Sequence, residues 1–128
     1  LASIIEKETG RSAERARVAG VFINRLRLNM RLQSDPTVSF SITKGQEELK
    51  RALSREDLKT PSPYNTYYVK GLPPAPITNP GRAAIKAAMN PLNTDELYFV
   101  ADGEGGHIFS KSLAEHNRNV AKWRQMDR

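Results

Sequence analysis

ELYFVADGEGGHIFS, residues 96–110, decides the architecture. Its arms are rich in aromatic and β-branched residues, and DGEGG between them supplies a glycine-rich turn, the composition of an antiparallel hairpin. On the C-terminal side Ser112 stands as an N-cap, and LAEHNRNVAKWRQM predicts a closing helix with Trp123 as its core anchor. On the N-terminal side, Asn79 as N-cap with Pro80 at the first helical position predicts a helix over GRAAIKAAMN, which Pro91 stops. Farther back, Ser12 caps a helix running to about Asn29, with Glu14 in its first turn. Val18, Ala19, Phe22, Ile23 and Leu26 form its core-facing stripe. After Asp35-Pro36, where the residue before proline is pushed toward extended geometry, Val38, Phe40 and Ile42 alternate like a short strand. GQEELKRAL and SREDL read as short helices, the second capped by Ser54. Helices mixed with a small antiparallel element along one chain give an α+β fold, a single domain over residues 1–128 without internal repeats.

The 128 residues suffice to bury a core, and the absence of cysteine excludes disulfides and thiolate chemistry. The two histidines, His107 and His116, have no HExxH spacing, so neither a metal nor another cofactor is expected. No apolar run approaches the length of a membrane span, and no signal peptide is recognisable. Leu1 already lies inside a helical pattern with no N-cap before it, which predicts a fragment of a longer protein. A formal charge of +6 favours an anionic partner, yet the cations are dispersed through RSAERAR, NRLRLNMR and KWRQMDR. Nucleic acid would want exposed aromatics interleaved with basic residues, and PYNTYY has only Lys70 nearby, so nucleic acid is not expected.

LASIIEKETG, residues 1–10, raises a sharper question through its two acids, Glu6 and Glu8. At about 100° per residue, Leu1, Ile4, Ile5 and Glu8 share one helical stripe, while Glu6 falls on the polar side. Glu8 therefore occupies a slot where the pattern asks for an apolar residue. Either it reaches solvent at the edge of the stripe, or it is held in a partly apolar cleft with its pKa raised. TPSPYNTYYVKGLPPAPITNP, residues 60–80, is a long irregular segment of the kind that carries function in compact domains. Tyr64, Tyr67 and Tyr68 either present flat faces to a sugar, with Asn65 and Thr66 as hydrogen-bonding partners, or pin the loop to the core. Gln33 is a candidate ligand contact, and Asp35 either contributes to the same site or holds its own turn.

EKET, FINRLR, MRLQSDPTV, YNTY, GLPPAPITNPG, LYFVADG, GGHIF and HN occur in an order and separation that resemble the YceG family of endolytic murein transglycosylases. The resemblance runs from Leu1 to about Asn117; SFSI after DPTV, and Ala75 in place of a glycine, depart from the family pattern. It implies a lysozyme-like catalytic helix at the N-terminus and places the family's catalytic glutamate on Glu8. The substrate implied is the glycan strand of nascent peptidoglycan, cut between N-acetylmuramic acid and N-acetylglucosamine to leave a 1,6-anhydro end, a lyase reaction. Gln33, Asp35, Tyr64, Asn65, Tyr67, Asn79 and His107 are the candidate substrate-binding or groove-supporting residues. The resemblance also implies an upstream membrane anchor and a small LysM-like domain. The catalytic domain would then stand on the outer face of the bacterial cytoplasmic membrane, near cell-wall synthases. The lack of an obvious second catalytic carboxylate agrees with a lyase. The alternative is a non-catalytic glycan-binding module.

Overall fold

The computed structural model describes residues 1–126 and contains, among them, five α-helices and one two-stranded antiparallel sheet. In chain order these are α1 (Ala2–Glu8), a 3-10 turn at Ser12–Glu14, α2 (Arg15–Arg27), α3 (Asp35–Thr43) and a 3-10 turn at Asp57–Lys59. Then follow α4 (Arg82–Met89), β1 (Tyr98–Ala101), β2 (His107–Ser110) and α5 (Leu113–Met126). The α+β reading holds. Asp127 and Arg128, the end of the basic KWRQMDR run, lie outside the described residues.

The core forms around α2. Val18, Ala19, Val21 and Phe22 pack with Ile4 and Ile5 of α1, Leu32, Ile77, Ala84 and Ala87 of α4, and Phe109 of β2. Phe22 meets Phe99 edge to face at 5.6 Å, which joins α2 to the hairpin. Unlike a simple amphipathic helix, α2 also buries Asn24 and Arg25, and both are spent on backbone. Asn24 Nδ2 donates to the Thr94 carbonyl at 2.6 Å and the Glu96 carbonyl at 3.0 Å. Arg25 donates to the carbonyls of Leu97 and Arg31, both at 2.7 Å, and stacks over Tyr98. Arg17 adds a two-pronged pair with Glu96. The segment leading into β1 is therefore fastened to α2 at two of its turns, through Arg17 and through Asn24 and Arg25.

The hairpin pairs Tyr98 with Ser110, Phe99 with Phe109, Val100 with Ile108 and Ala101 with His107. Its turn needs glycine at Gly103 and Gly105, where φ is +83° and +86°. Asp102 Oδ1 closes the turn by accepting the N–H groups of Glu104 and Gly106. Ser112 caps α5 as expected, its hydroxyl accepting the Glu115 N–H at 3.2 Å.

Several local expectations are corrected. VSFSI is helical: Ser34 takes the extended conformation, and Pro36 sits in the first turn of α3, where its missing N–H would have had no partner anyway. The apparent alternation came from Ser41 and Thr43, whose hydroxyls donate back to the carbonyls of Thr37 and Ser39 within the helix. GQEELKRAL is not a helix, because Lys44 and Gly45 turn left-handed and the chain leaves α3 as a loop. SREDL gives only a 3-10 turn, whose N-cap is Glu56 rather than Ser54; Ser54 and Asp57 exchange side-chain to backbone bonds just before it. Regular α-helix in α2 begins at Arg15 and ends at Arg27, and Ser12 makes no capping bond. Gly81, not Asn79, is the N-cap of α4. Trp123 is only half-buried and lies outside the core cluster.

Candidate active site

Ile4 and Ile5 are wholly buried, and the stripe they define carries Glu8, the last residue of α1, in against the start of α3. There the Ser34 hydroxyl donates to Glu8 Oε1 at 2.7 Å. Ser34 is itself immobilised. Its N–H donates to Thr66 Oγ1 at 2.9 Å, its carbonyl accepts from Thr37 Oγ1 at 2.6 Å, and the two threonine hydroxyls share a bond of 2.8 Å. Ser34, Thr37 and Thr66 are all buried, so this network fixes the group that holds Glu8. Asp35 follows on the exposed side, and its Oδ1 accepts the Tyr67 hydroxyl at 2.6 Å.

The electrostatics follow from this placement. Part of the Glu8 side chain reaches solvent, but protein surrounds the carboxyl, and loss of hydration pushes its pKa up to about 7. The Ser34 bond opposes that rise, and the negative charge of Asp35 adds to it. Burial likewise drives the Tyr67 phenol well above its ordinary range, helped by Asp35 and Glu8 and opposed by Arg25, so Tyr67 remains a neutral donor. Replacing Ser34 by Ala should raise the Glu8 midpoint, and Asp35→Asn should lower it. Carboxyl-carbon NMR titration of Glu8 in the two variants reads both shifts, and a common direction would contradict this electrostatic account.

A cleft of about 940 Å³ runs from this cluster along α3. Its lining includes Lys7, Ile77 and Thr78, with Asp35, Ser39, Phe40 and Thr43 of α3 and Leu49 and Leu53 of the loop that follows. Glu8 is not a wall residue. It adjoins the cleft through its neighbour Lys7 and through Asp35, which belongs to both.

The other predicted residues divide. Gln33 is exposed beside Ser34 with a left-handed φ of 52°, its N–H on the Thr66 carbonyl and its Oε1 at 3.5 Å from Arg25 Nη1. Tyr64 meets Phe40 with the rings tilted and their centroids 4.8 Å apart, and it packs on the core, so it pins the loop. Tyr68 is the open tyrosine, 52% exposed. Asn65 is corrected from substrate contact to loop support. It is wholly buried, with Nδ2 on the Leu58 and Thr60 carbonyls and Oδ1 on the Tyr67 N–H. Asn79 is exposed and makes no side-chain hydrogen bond among the described residues. His107 bonds Glu14 through its backbone N–H and Nδ1 rather than joining the Glu8 cluster. Glu6 is not idle surface either, since Oε1 accepts the Gly81 N–H at 2.6 Å and ties α1 to the start of α4. Sequence reasoning missed Ser34, whose position directly before Asp-Pro marks a helix start.

Residues 1–122 match the family described as YceG-like. The chain belongs to the YceG-like family. The endolytic murein transglycosylase of Bacillus subtilis (strain 168) is 45% identical over 123 residues, which is 96% of this chain and 33% of that protein. The endolytic murein transglycosylase of Streptococcus pneumoniae serotype 2 (strain D39) is 38% identical over 124 residues, 95% of this chain and 22% of that protein. A YceG-like protein of Listeria monocytogenes, known from a crystal structure, is 46% identical with a TM-score of 0.81, covering 91% of this chain and 36% of that one. This YceG-like chain thus spans about a third or less of the length of the curated relatives it matches. Its Glu8 cluster draws on α1, on SDP at the start of α3 and on YNTY of the long loop, segments far apart in the sequence that only the fold brings together.

Proposed function

We propose that this chain is the catalytic domain of an endolytic murein transglycosylase, cutting peptidoglycan strands between N-acetylmuramic acid and N-acetylglucosamine. The observation that carries the reading is Glu8, a carboxyl acid with its pKa pushed up to about 7 beside a cleft of saccharide size. A group poised near the working pH can both give and take a proton. Protonated Glu8 gives its proton to the glycosidic oxygen as the C1–O bond breaks. The resulting carboxylate removes the proton of the muramic acid C6 hydroxyl as that oxygen bonds to C1, closing the 1,6-anhydro ring and restoring the acid. The nucleophile belongs to the same sugar, so its effective concentration is high and water is not consumed. On this reading α1, Ala2–Glu8, serves as a lysozyme-like catalytic helix. Gln33 and Tyr67 border the reacting bond, Asn79 is a substrate contact farther out, and Tyr64 and Asn65 shape the loop.

The similarity to transglycosylases much longer than this chain supports its being one domain of a larger protein. We place that protein on the outer face of the bacterial cytoplasmic membrane, held by a segment outside this chain, with cell-wall synthases as neighbours. No helix among the described residues is long and apolar enough to cross a membrane. The net positive charge suits a polymer whose stem peptides carry carboxylates.

Asp35 favours a second reading. It is a second carboxylate close enough for its charge to act on Glu8, which the separation of the two in the sequence had hidden. Glycoside hydrolases use such a pair, the second carboxylate activating water or attacking C1. Mass spectrometry of digested glycan separates the two reactions. Anhydro-muramic ends are expected; reducing ends would make the enzyme a hydrolase, and bound but uncut glycan would make it a binding module.

A further inference from the structure

We propose that Glu14 and His107 are positioning residues for Glu8: through them the β-hairpin clamps the turn after α1 and fixes where that carboxyl stands. The proposal rests on Glu8 as the proton-transfer group and adds what holds it there. With only seven residues, α1 is too short to be rigid by itself, and Glu8 occupies its final position. The next residue, Thr9, is already extended, and its N–H makes a long 3.4 Å bond to the Ile5 carbonyl. The last turn of α1 therefore needs an external brace.

The brace is Glu14. Its Oε1 accepts the Thr9 hydroxyl at 3.3 Å, and the Thr9 hydroxyl in turn accepts the Arg11 N–H at 3.1 Å. From the other side His107 grips both carboxylate oxygens. Its N–H donates to Oε2 and its Nδ1 to Oε1, each at 2.9 Å. An ionised carboxylate can only accept, so Nδ1 carries the proton. Burial favours the neutral acid, but the bonds from the His107 ring and backbone outweigh it and hold the Glu14 carboxyl below its ordinary pKa. The imidazole is oriented by the edge-to-face contact with Phe99 at 5.1 Å, and Phe99 packs on Phe22 of α2. The hairpin tip closes the clamp. Arg11 bonds the Glu104 carbonyl, and a Cβ at Gly106 would come within 2.9 Å of Glu14 Oε2. The line of contact runs His107, Glu14, Thr9, Glu8. It gives the glycine-rich turn and the histidine after it a role that contact with substrate does not.

The test compares His107→Ala, His107→Asn and Thr9→Val with the unaltered full chain. Asn keeps a donor in the place of Nδ1, whereas Thr9→Val cuts the link to α1 while leaving the hairpin clamp on Glu14 intact. His107→Ala and Thr9→Val are expected to lower kcat on glycan strands about tenfold at nearly unchanged KM, as a misplaced acid does. In both, the Glu8 midpoint should fall from about 7 toward the ordinary glutamate value as the carboxyl gains water, and His107→Asn should restore both quantities. The groups acting on Glu8, Asp35 at the start of α3 and Ser34 just before it, are untouched by these changes, so the midpoint reports its placement. Lowered melting temperatures with an unchanged Glu8 midpoint and kcat would overturn the proposal. If none of the proteins cuts glycan, the functional reading falls while the titration still decides this one.

Discussion

Glu8→Gln is expected to slow glycan cleavage at least about 10²-fold, since positioned acid–base groups contribute on that order or more. Glycan binding should persist, because the amide keeps the shape of the carboxyl and its oxygen can still accept from Ser34. Glu6→Gln is the control. Glu6 ties α1 to Gly81 and has no place in the proton transfer, so its loss should leave the rate within a few-fold. The same variant carries a stability signature. The Glu8 pKa is raised from 4.5 to about 7 in the folded state, so the native form holds its proton longer than the unfolded chain does. The stability associated with this group is fully present below pH 4.5 and is lost as the pH rises to about 7. Above that, ionised Glu8 costs on the order of 3 kcal/mol, which Gln does not incur. Melting curves should therefore show Glu8→Gln gaining on the unaltered protein between pH 4.5 and 7 and keeping that gain at higher pH. A pH-independent difference would mean that Glu8 is not desolvated.

Asn65→Ala should produce the largest loss of stability among the site residues. The change removes a wholly buried side chain and with it the bonds it makes to the carbonyls of Leu58 and Thr60 and to the N–H of Tyr67, all of them partly buried. Buried groups left without partners cost about 1–3 kcal/mol each when water cannot reach them, and local relaxation should hold the total near 3 kcal/mol. For a domain of this size that is a drop in Tm on the order of 10 °C. Activity should fall as well, because Thr66 and Tyr67 follow directly and hold Ser34 and Asp35. A fall in glycan affinity at unchanged Tm would instead restore Asn65 as a direct ligand.

Local periodicity revealed some features and concealed others, for identifiable reasons. The hairpin was legible because alternating aromatic arms and a turn that needs left-handed glycines have few other solutions. The misplaced acid on the α1 stripe was legible because Ile4 and Ile5 fix which face turns inward. The nature of α3 was not, since serine and threonine hydroxyls that fold back onto helix carbonyls imitate the polar face of a strand. The surroundings of Glu8 were hidden by distance along the chain: Ser34, Asp35 and Tyr67 reach it only through tertiary packing of α1, α3 and the loop. YNTY marked the loop correctly but not the division of labour within it, because nothing local says that Asn65 faces in and Tyr68 faces out. His107 stood out as a rare residue type; its partner Glu14 lay 93 positions away.

Titration of the Glu8 carboxyl carbon by NMR, in the unaltered protein without substrate, is the most direct measurement of all. A midpoint close to pH 7 is the predicted result. A midpoint near 4.5 would mean a hydrated, ordinary side chain, and the proton that the proposed reaction passes back and forth would not be there to give.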